Sequence, residues 1–314
     1  MLRREWPNCW LPHASFLNAI SATIAFKEDV LFHEAMQQAY VLILYLGLLV
    51  GRPQNAASLR IRVRDDSEYP VYLDVIQSFP FYRKQEFAHE NPHPGDILVN
   101  VIRKPDEFSH VTADWTARQK EWNDARMRFF NCFKEQRSYT IDRLIASANM
   151  FDILPKIAVP ANIELPKDLK AARDAAQNSF RRLPQSPERD SVLSALGRIE
   201  KPNLKQKVRY RLKKLTDLLP NTFPEIAMVC DEAVNCRNHY VHGSDAPFDY
   251  TKDFDAVTFF TDTLEFVFAA SDLVESGWDI KDWMEGHIKY HHPFGRYRQG
   301  YPHYVKHLKF MLGE

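Results

Sequence analysis

The sequence has few cysteines, and they follow no recognisable spacing. Its 314 residues include four of them, Cys9, Cys132, Cys230 and Cys236, with no C-x-x-C pair. Four scattered thiols are too few to hold a chain of this length together by disulfide bonds, and they lack the spacing of zinc or redox motifs. We therefore expect a reducing compartment, with the cytoplasm as the localisation.

Long apolar runs and net charge are also missing. The most apolar segment, residues 39–50, is only a dozen residues long, whereas crossing a bilayer takes about 20. The first residues, MLRREWP, lack the apolar stretch of a signal peptide. We therefore expect neither secretion nor a membrane span. Lys+Arg and Asp+Glu both number 41, so binding to nucleic acid would require a local basic patch.

Several common catalytic motifs are absent as well. The sequence has no G-x-S-x-G elbow, no P-loop and no G-x-G-x-x-G at a strand-to-helix turn, which argues against hydrolase triads, NTPases and Rossmann enzymes. The chain does have 45% hydrophobic and 26% charged residues. That composition is sufficient for a full core in one large domain or two ordinary ones.

The first third of the chain mixes helix and strand patterns. Residues 27–50 favour a helix that ends at Gly51-Arg52-Pro53. Two alternating runs, 59–64 and 71–75, flank a turn-prone segment and predict a half-buried antiparallel hairpin. The short apolar run 97–101 predicts either a third strand or the start of a helix.

From about residue 104 the pattern is helical almost to the end of the chain. Helices are predicted near 112–134, 138–154, 166–183, 188–199, 204–219, 224–242 and 252–275. The predicted fold class is therefore α+β and predominantly α. A small N-terminal region of a helix and a short antiparallel sheet, residues 1–104, precedes a helical bundle, residues 105–314.

The sharpest local signal is CRNHYVHG at 236–243, an R-x4-H pattern at the end of the helix predicted after Pro224. At about 100° per residue, Arg237 falls in the middle of an apolar stripe, whereas Asn238 and His242 lie on a polar edge that solvent can reach. The stripe comprises Ile226, Val229, Cys230, Ala233, Tyr240 and Val241. Because a buried guanidinium is costly unless paired, Arg237 indicates either a core ion pair or a face completed by another protein surface.

This segment resembles the active motif of HEPN domains, helical bundles that often dimerise through the face bearing it. LYLGLLVGRP at 44–53, the hairpin, the long helix from Trp115 to Phe133 and the R-N-x-x-x-H-G segment occur in the order expected of the ApeA-like branch. In that branch a β-rich N-terminal region precedes a C-terminal HEPN domain, and members are associated with anti-phage abortive infection. Residues 1–104 then correspond to a short ApeA-like N-terminal remnant.

The same resemblance leads us to expect a glutamate late in the helix that here reads Asn149-Met150-Phe151-Asp152. This sequence has no glutamate there, and Asp152 is the candidate substitute.

The resemblance implies a metal-independent endoribonuclease without a cofactor, acting in phage defence or as a toxin. RNA carries its own nucleophile, the 2′-hydroxyl, and His242 would exchange the proton near neutral pH. Arg237 would bind the scissile phosphate and stabilise its growing charge, while Asn238 would orient the phosphate or the imidazole. Two copies of the motif facing each other in a homodimer would supply acid and base, and a sensor or antitoxin partner would control them.

A basic stretch precedes the motif helix and is a candidate RNA-binding surface. It has no acidic residue before Asp217 and comprises Lys201, Lys205, Lys207, Arg209, Arg211, Lys213 and Lys214. A solvated helix face is an equally good interpretation of such a run. The alternative function is a non-catalytic HEPN-like module that binds RNA or a protein, with Arg237 in a structural ion pair.

Two histidine pairs, His287 with His291 and His303 with His307, have the i,i+4 spacing that can bind zinc on a helix. No carboxylate or cysteine lies nearby at convincing ligand spacing, and prolines are expected to interrupt the helices there. Surface or packing histidines are therefore the favoured interpretation. Since the stretch from Trp278 onward is aromatic but poor in aliphatic residues, we expect short helices on a surface rather than a core.

Overall fold

A computed structural model describes residues 22–63, 71–76, 96–286 and 291–314. The described residues form two compact units, one drawn from 22–48, 53–63 and 71–76 and the other from 49–52, 96–286 and 291–314. The turn predicted between the two strands, most of the loop before residue 97, and His287 lie outside the described residues. The boundary expected at residue 104 stays a prediction.

The first helix is α1, Phe32–Val50, within the segment that the sequence favoured. It ends at Gly51, whose φ of +75° lies in the left-handed region that favours glycine. A Cβ at Gly51 would also collide with the ring of His292. No helix in the described part of the chain is long and apolar enough to cross a membrane.

The predicted hairpin is a two-stranded antiparallel sheet of β1, Arg60–Val63, and β2, Val71–Asp74. Arg60 lies opposite Asp74 and forms an ion pair with it at 2.8 Å. The expected half-burial is wrong, because every residue of β2 and all but one of β1 are exposed. Alternation predicted the strands, but among the described residues no second layer covers either face.

Residues 97–101, for which the sequence left a third strand or the start of a helix open, form neither, and the chain turns there instead. The Asn100 side chain accepts hydrogen bonds from the backbone N–H groups of Ile102 and Arg103, at 2.9 and 3.1 Å, which closes a turn. The Leu98 N–H donates to the Leu49 carbonyl, and the Leu98 carbonyl accepts from the Trp278 indole at 3.2 Å. These backbone groups are therefore satisfied by a helix end and a side chain rather than by a strand.

The described residues of the larger unit form helices and connecting loops but no strand, which confirms a predominantly α fold with a small sheet. Its helices are α2 Pro105–Ala117, α3 Gln119–Lys134, α4 Ile141–Asp152, α5 Lys167–Arg181, α6 Pro187–Arg198, α7 Leu204–Thr216, α8 Ile226–His242, α9 Phe254–Glu275, α10 Ile280–Glu285 and α11 Pro293–Leu312. The single helix predicted over 112–134 is broken at Arg118. There the guanidinium turns inward and binds Asp272 at 2.8 Å.

Helix α9 is the centre of this unit, and α3, α4, α7, α8 and α11 pack against it. Three arginines on three different helices meet carboxylates on α9: Arg126 binds Asp272 at 2.8 Å, Arg143 binds Glu265 at 2.9 Å and Arg211 binds Glu275 at 2.8 Å. Buried arginine is expensive unless it is paired. These ion pairs therefore fix α3, α4 and α7 on the central helix.

The C-terminal stretch contributes to the core, contrary to the expectation of surface helices. Helix α11 continues through Pro302, which lies on its exposed side, and Tyr297 and Tyr301 are buried. Tyr297 stacks on Phe266 with ring centroids 4.7 Å apart. The Tyr301 hydroxyl donates to the Pro224 carbonyl at 2.6 Å. Aromatic side chains here supply the burial that aliphatic residues supply elsewhere.

Candidate active site

Helix α8 carries the R-x4-H motif in its last two turns and stops at Gly243, whose φ is +69°. The first part of the predicted stripe is buried as expected and is extended by Val234 and Cys236. The stripe then ends, since Tyr240 is only half-buried and Val241 is 41% exposed. The motif therefore lies where α8 emerges from the core.

Four hydrogen bonds hold the half-buried guanidinium of Arg237. Its Nε and Nη2 donate to Oδ1 of Asn149 on α4, at 3.2 and 2.9 Å. Its Nη1 donates to Oδ1 of Asn238 at 3.0 Å and lies 3.1 Å from Nε2 of His242. A guanidinium has five N–H groups. One N–H of Nη2 is thus left without an acceptor among the described residues.

The positive charge of Arg237 has no counter-charge in the part of the chain that the structure describes. Its partners there are two amides and one imidazole, and it forms no ion pair with a described carboxylate. By contrast, Arg126, Arg143 and Arg211 each bind a carboxylate on α9. The core ion pair that the sequence left open for Arg237 is therefore not formed among the described residues. A half-exposed cation held by neutral groups is suited to binding an anion.

The proton positions on two histidines of α8 follow from their partners. Because an arginine can only donate, the contact with Arg237 requires Nε2 of His242 to accept, which assigns the ring proton to Nδ1. His239 Nδ1 lies 2.7 Å from the Ser244 carbonyl, and a carbonyl can only accept, so this nitrogen also carries a proton. His242 is exposed, as the helical projection predicted, and His239 is half-buried.

The residue that faces Arg237 from α4 is Asn149, which the sequence did not identify as a site residue. Asp152, the candidate substitute for the expected glutamate, binds Lys207 at 3.0 Å instead. The two residues are three positions apart near the end of α4. The contact from α4 to Arg237 is therefore made by the Asn149 amide and not by the Asp152 carboxylate.

The thiol of Cys236, directly before Arg237, is buried in the core. Burial raises the pKa of Cys236 to about 12. This group is therefore a neutral packing residue and not a nucleophile.

The basic residues of α7 lie on one helix, but most of their charges are compensated. Lys207 binds Asp152, Arg209 binds Asp231, Lys213 binds Asp217 and Lys214 binds Glu275. Arg211 has no exposed side-chain surface and lies in the core. Lys205 is half-buried near Glu232, and Lys201 is exposed just before the helix. An RNA track along α7 stays a prediction, with Arg211 inaccessible in this arrangement.

The histidines of the pair on α11, His303 and His307, are both exposed. Within the described residues, no group of three or more histidine, cysteine, aspartate or glutamate side chains could hold a metal ion. His287, of the other pair, lies outside those residues.

Comparison with protein families adds one finding to this geometry. The model of the Apea-like HEPN family matches residues 145–282. The chain carries an ApeA-like HEPN domain. The match includes both Asn149 and the R-x4-H motif, so the contact between α4 and α8 lies inside the HEPN domain. No curated protein and no solved structure matches the chain.

Proposed function

We propose that this ApeA-like HEPN protein is a metal-independent endoribonuclease that acts in phage defence, in abortive infection or as a toxin. One observation carries the proposal: Arg237 presents an uncompensated charge at the surface, 3.1 Å from Nε2 of the exposed His242. A phosphate diester supplies the anion that this guanidinium lacks. The adjacent imidazole supplies a group that can accept and donate a proton.

The contacts of Arg237 suggest how RNA would prepare the site. The unused N–H of Nη2 would bind a non-bridging oxygen of the scissile phosphate. When the phosphate also accepts a hydrogen bond from Nη1, the hydrogen bond from Nη1 to His242 breaks. The lone pair on Nε2 of His242 is then free to accept a proton. Asn149 and Asn238 meanwhile keep the guanidinium oriented through their amide oxygens. The base would therefore be released only when the substrate is bound.

The chemistry uses the nucleophile that RNA carries. His242 accepts the proton of the 2′-hydroxyl, the 2′-oxygen forms a bond to phosphorus, and the bond to the 5′-oxygen breaks. Arg237 stabilises the negative charge that grows on the phosphate oxygens. The leaving 5′-oxygen takes a proton from an acid. The products are a 2′,3′-cyclic phosphate and a 5′-hydroxyl end, and no step requires a metal or cofactor.

A homodimer would complete this scheme, because one imidazole cannot be base and acid in the same step. His242 of a second copy, brought in by contact between the two motif faces, would protonate the leaving oxygen. The exposure of His242 and of Val241 beside it is compatible with such an interface. We place the active protein in the cytoplasm, where RNA is its substrate and a sensor or antitoxin partner would control it.

The test is to incubate purified wild-type protein, Arg237→Ala and His242→Ala with mixed cellular RNA in EDTA and to map the fragment ends. His303→Ala serves as the matched control, since it removes an exposed histidine on α11. We expect cyclic-phosphate ends from the wild type and the control only. Cleavage that survives in His242→Ala would refute the assigned role. Intact RNA in all four reactions would favour the non-catalytic binding module.

A further inference from the structure

The hairpin formed by α5 and α6 contains no buried side chain. These helices have 15 and 12 residues, and neither contains a buried residue. The six-residue α10, by comparison, buries two. Helices α5 and α6 pack mainly against each other. A helix in a folded unit normally buries an apolar stripe against the core. Because α5 and α6 do not, most of their surface faces solvent, and we call this hairpin the arm.

The base of the arm adjoins the helices that carry the candidate site. The hairpin is inserted between α4, which supplies Asn149, and α7. Its two ends are joined by a hydrogen bond from the Ile163 N–H to the Glu200 carbonyl at 2.8 Å and by an ion pair of Arg173 with Glu200 at 2.6 Å. Lys207 of α7 then binds Asp152 of α4 at 3.0 Å. The two ends of the arm therefore lead into two helices that are themselves joined by this ion pair.

The uncompensated charge on the arm is mostly positive. Residues 167–198 include seven basic and four acidic side chains. Arg173 and Arg189 form ion pairs with Asp174 and Asp190. The remaining basic residues are exposed and form no ion pair within the described chain: Lys167, Lys170, Arg181, Arg182 and Arg198. The arm thus differs from α7, where carboxylates compensate most of the basic side chains.

An open groove with a volume of about 370 Å³ lies at the turn between α5 and α6. Its lining is mainly apolar, formed by Phe180, Leu183, Pro184 and Val192, and is completed by Ser186, Glu188 and Arg189. The Arg189 guanidinium is held at the groove by the Phe180 carbonyl at 2.9 Å. Aromatic rings and guanidinium planes are the surfaces on which proteins stack unpaired bases.

We propose that the α5–α6 arm binds single-stranded RNA. The groove accepts an unstacked base, and Arg181 and Arg182, which directly follow Phe180, bind the neighbouring phosphates. This inference rests on the proposed function, because it supplies the RNA-binding surface of the same enzyme. The excess of unpaired cations favours a polyanion over a protein partner as the occupant.

Binding is measured on the full chain carrying His242→Ala, which is designed not to cleave, with a fluorescein-labelled single-stranded RNA and anisotropy as the readout. Adding Arg181→Gln and Arg182→Gln is expected to raise Kd about tenfold and to reduce the slope of log K against log salt by roughly 1.4, since each phosphate contact on a single strand contributes about 0.7. The matched control, Lys120→Gln with Lys281→Gln, removes the same charge from exposed positions elsewhere. It is expected to change Kd less than about twofold.

A third variant tests the groove without removing charge. Leu183 is 52% exposed, so Leu183→Ser should leave the fold intact, as circular dichroism would check. It is expected to weaken binding of RNA but not of inorganic polyphosphate, which has no bases. An unchanged Kd for Arg181→Gln with Arg182→Gln, or a loss equal to that of the control pair, would overturn the proposal and leave the arm as a protein-docking surface. Because this assay needs no cleavage, its failure is distinct from an inactive nuclease.

Discussion

Replacing Asn149 by alanine tests whether the contact between α4 and α8 is functional. Asn149 Oδ1 accepts two hydrogen bonds from Arg237, at 2.9 and 3.2 Å. Hydrogen bonds to charged groups contribute roughly 1.5–3 kcal/mol. Since Arg237 is half-exposed and water can replace the amide, we expect the lower value. At about 1.4 kcal/mol per factor of ten, Asn149→Ala should lower kcat/KM for RNA cleavage about tenfold.

The assay is cleavage of a labelled RNA under single-turnover conditions, with urea unfolding as a check on the fold. Asn235→Ala is the matched control, because Asn235 lies on α8 and donates to Glu232 at 2.9 Å rather than to Arg237. The cleavage rate of Asn235→Ala should stay within about twofold of the wild-type rate, because this substitution leaves the Arg237 guanidinium in place. A wild-type rate for Asn149→Ala would refute the claim that this amide positions Arg237.

A second substitution at the same position separates orientation from charge. Asn149→Asp keeps an acceptor for Arg237 but gives the guanidinium the counter-charge that it lacks among the described residues. We expect the folded state to be at least as stable as the wild type and cleavage to fall, because a neutralised guanidinium stabilises the phosphate less well. Full activity in Asn149→Asp would contradict the importance of the uncompensated charge.

Two further predictions concern the core around α9. Asp272→Asn should destabilise the fold by about 3–5 kcal/mol in urea unfolding, because buried Arg126 loses its carboxylate; a change below about 1 kcal/mol would contradict this role of the pair. Burial, together with the charge of Glu265, raises the pKa of Asp262 from 3.8 to about 7. In this pH range the folded state keeps the Asp262 proton, whereas the unfolded chain releases it. The contribution of Asp262 to the free energy of unfolding therefore declines as pH rises from about 4 to about 7. Asp262→Asn should remove that part of the pH dependence, and an unchanged profile of melting temperature against pH would contradict the assignment.

Helices α7, α8 and α9 agree closely with the sequence predictions because their signals are local. The periodicity and caps of α7, α8 and α9 depend on neighbours within a turn or two, and the observed bounds lie within a few residues of those predicted. The motif is local too, since Arg237 and His242 are five positions apart on one helix. The sequence therefore placed the central pair of the candidate site.

Residues 97–101, which form neither the strand nor the helix start that the sequence left open, show where local patterns are insufficient. An apolar run of that length is compatible with several structures. What decided the outcome was the set of available partners, namely the Leu49 carbonyl and the Trp278 indole. The hairpin, in which all strand residues but Ile61 are exposed, is a related case, because alternation predicts a strand but not what covers it.

The sequence by itself determined the helical bundle, its resemblance to HEPN domains, and Arg237, Asn238 and His242 as one constellation. Only the tertiary structure decided which charges remain uncompensated. Asn149 is 88 positions from Arg237 in the chain, and the partners that neutralise α7 come from α4, α8 and α9 as well as from the turn that follows it. Charge compensation depends on distances between side chains that are remote in sequence, and those distances are set by packing around α9.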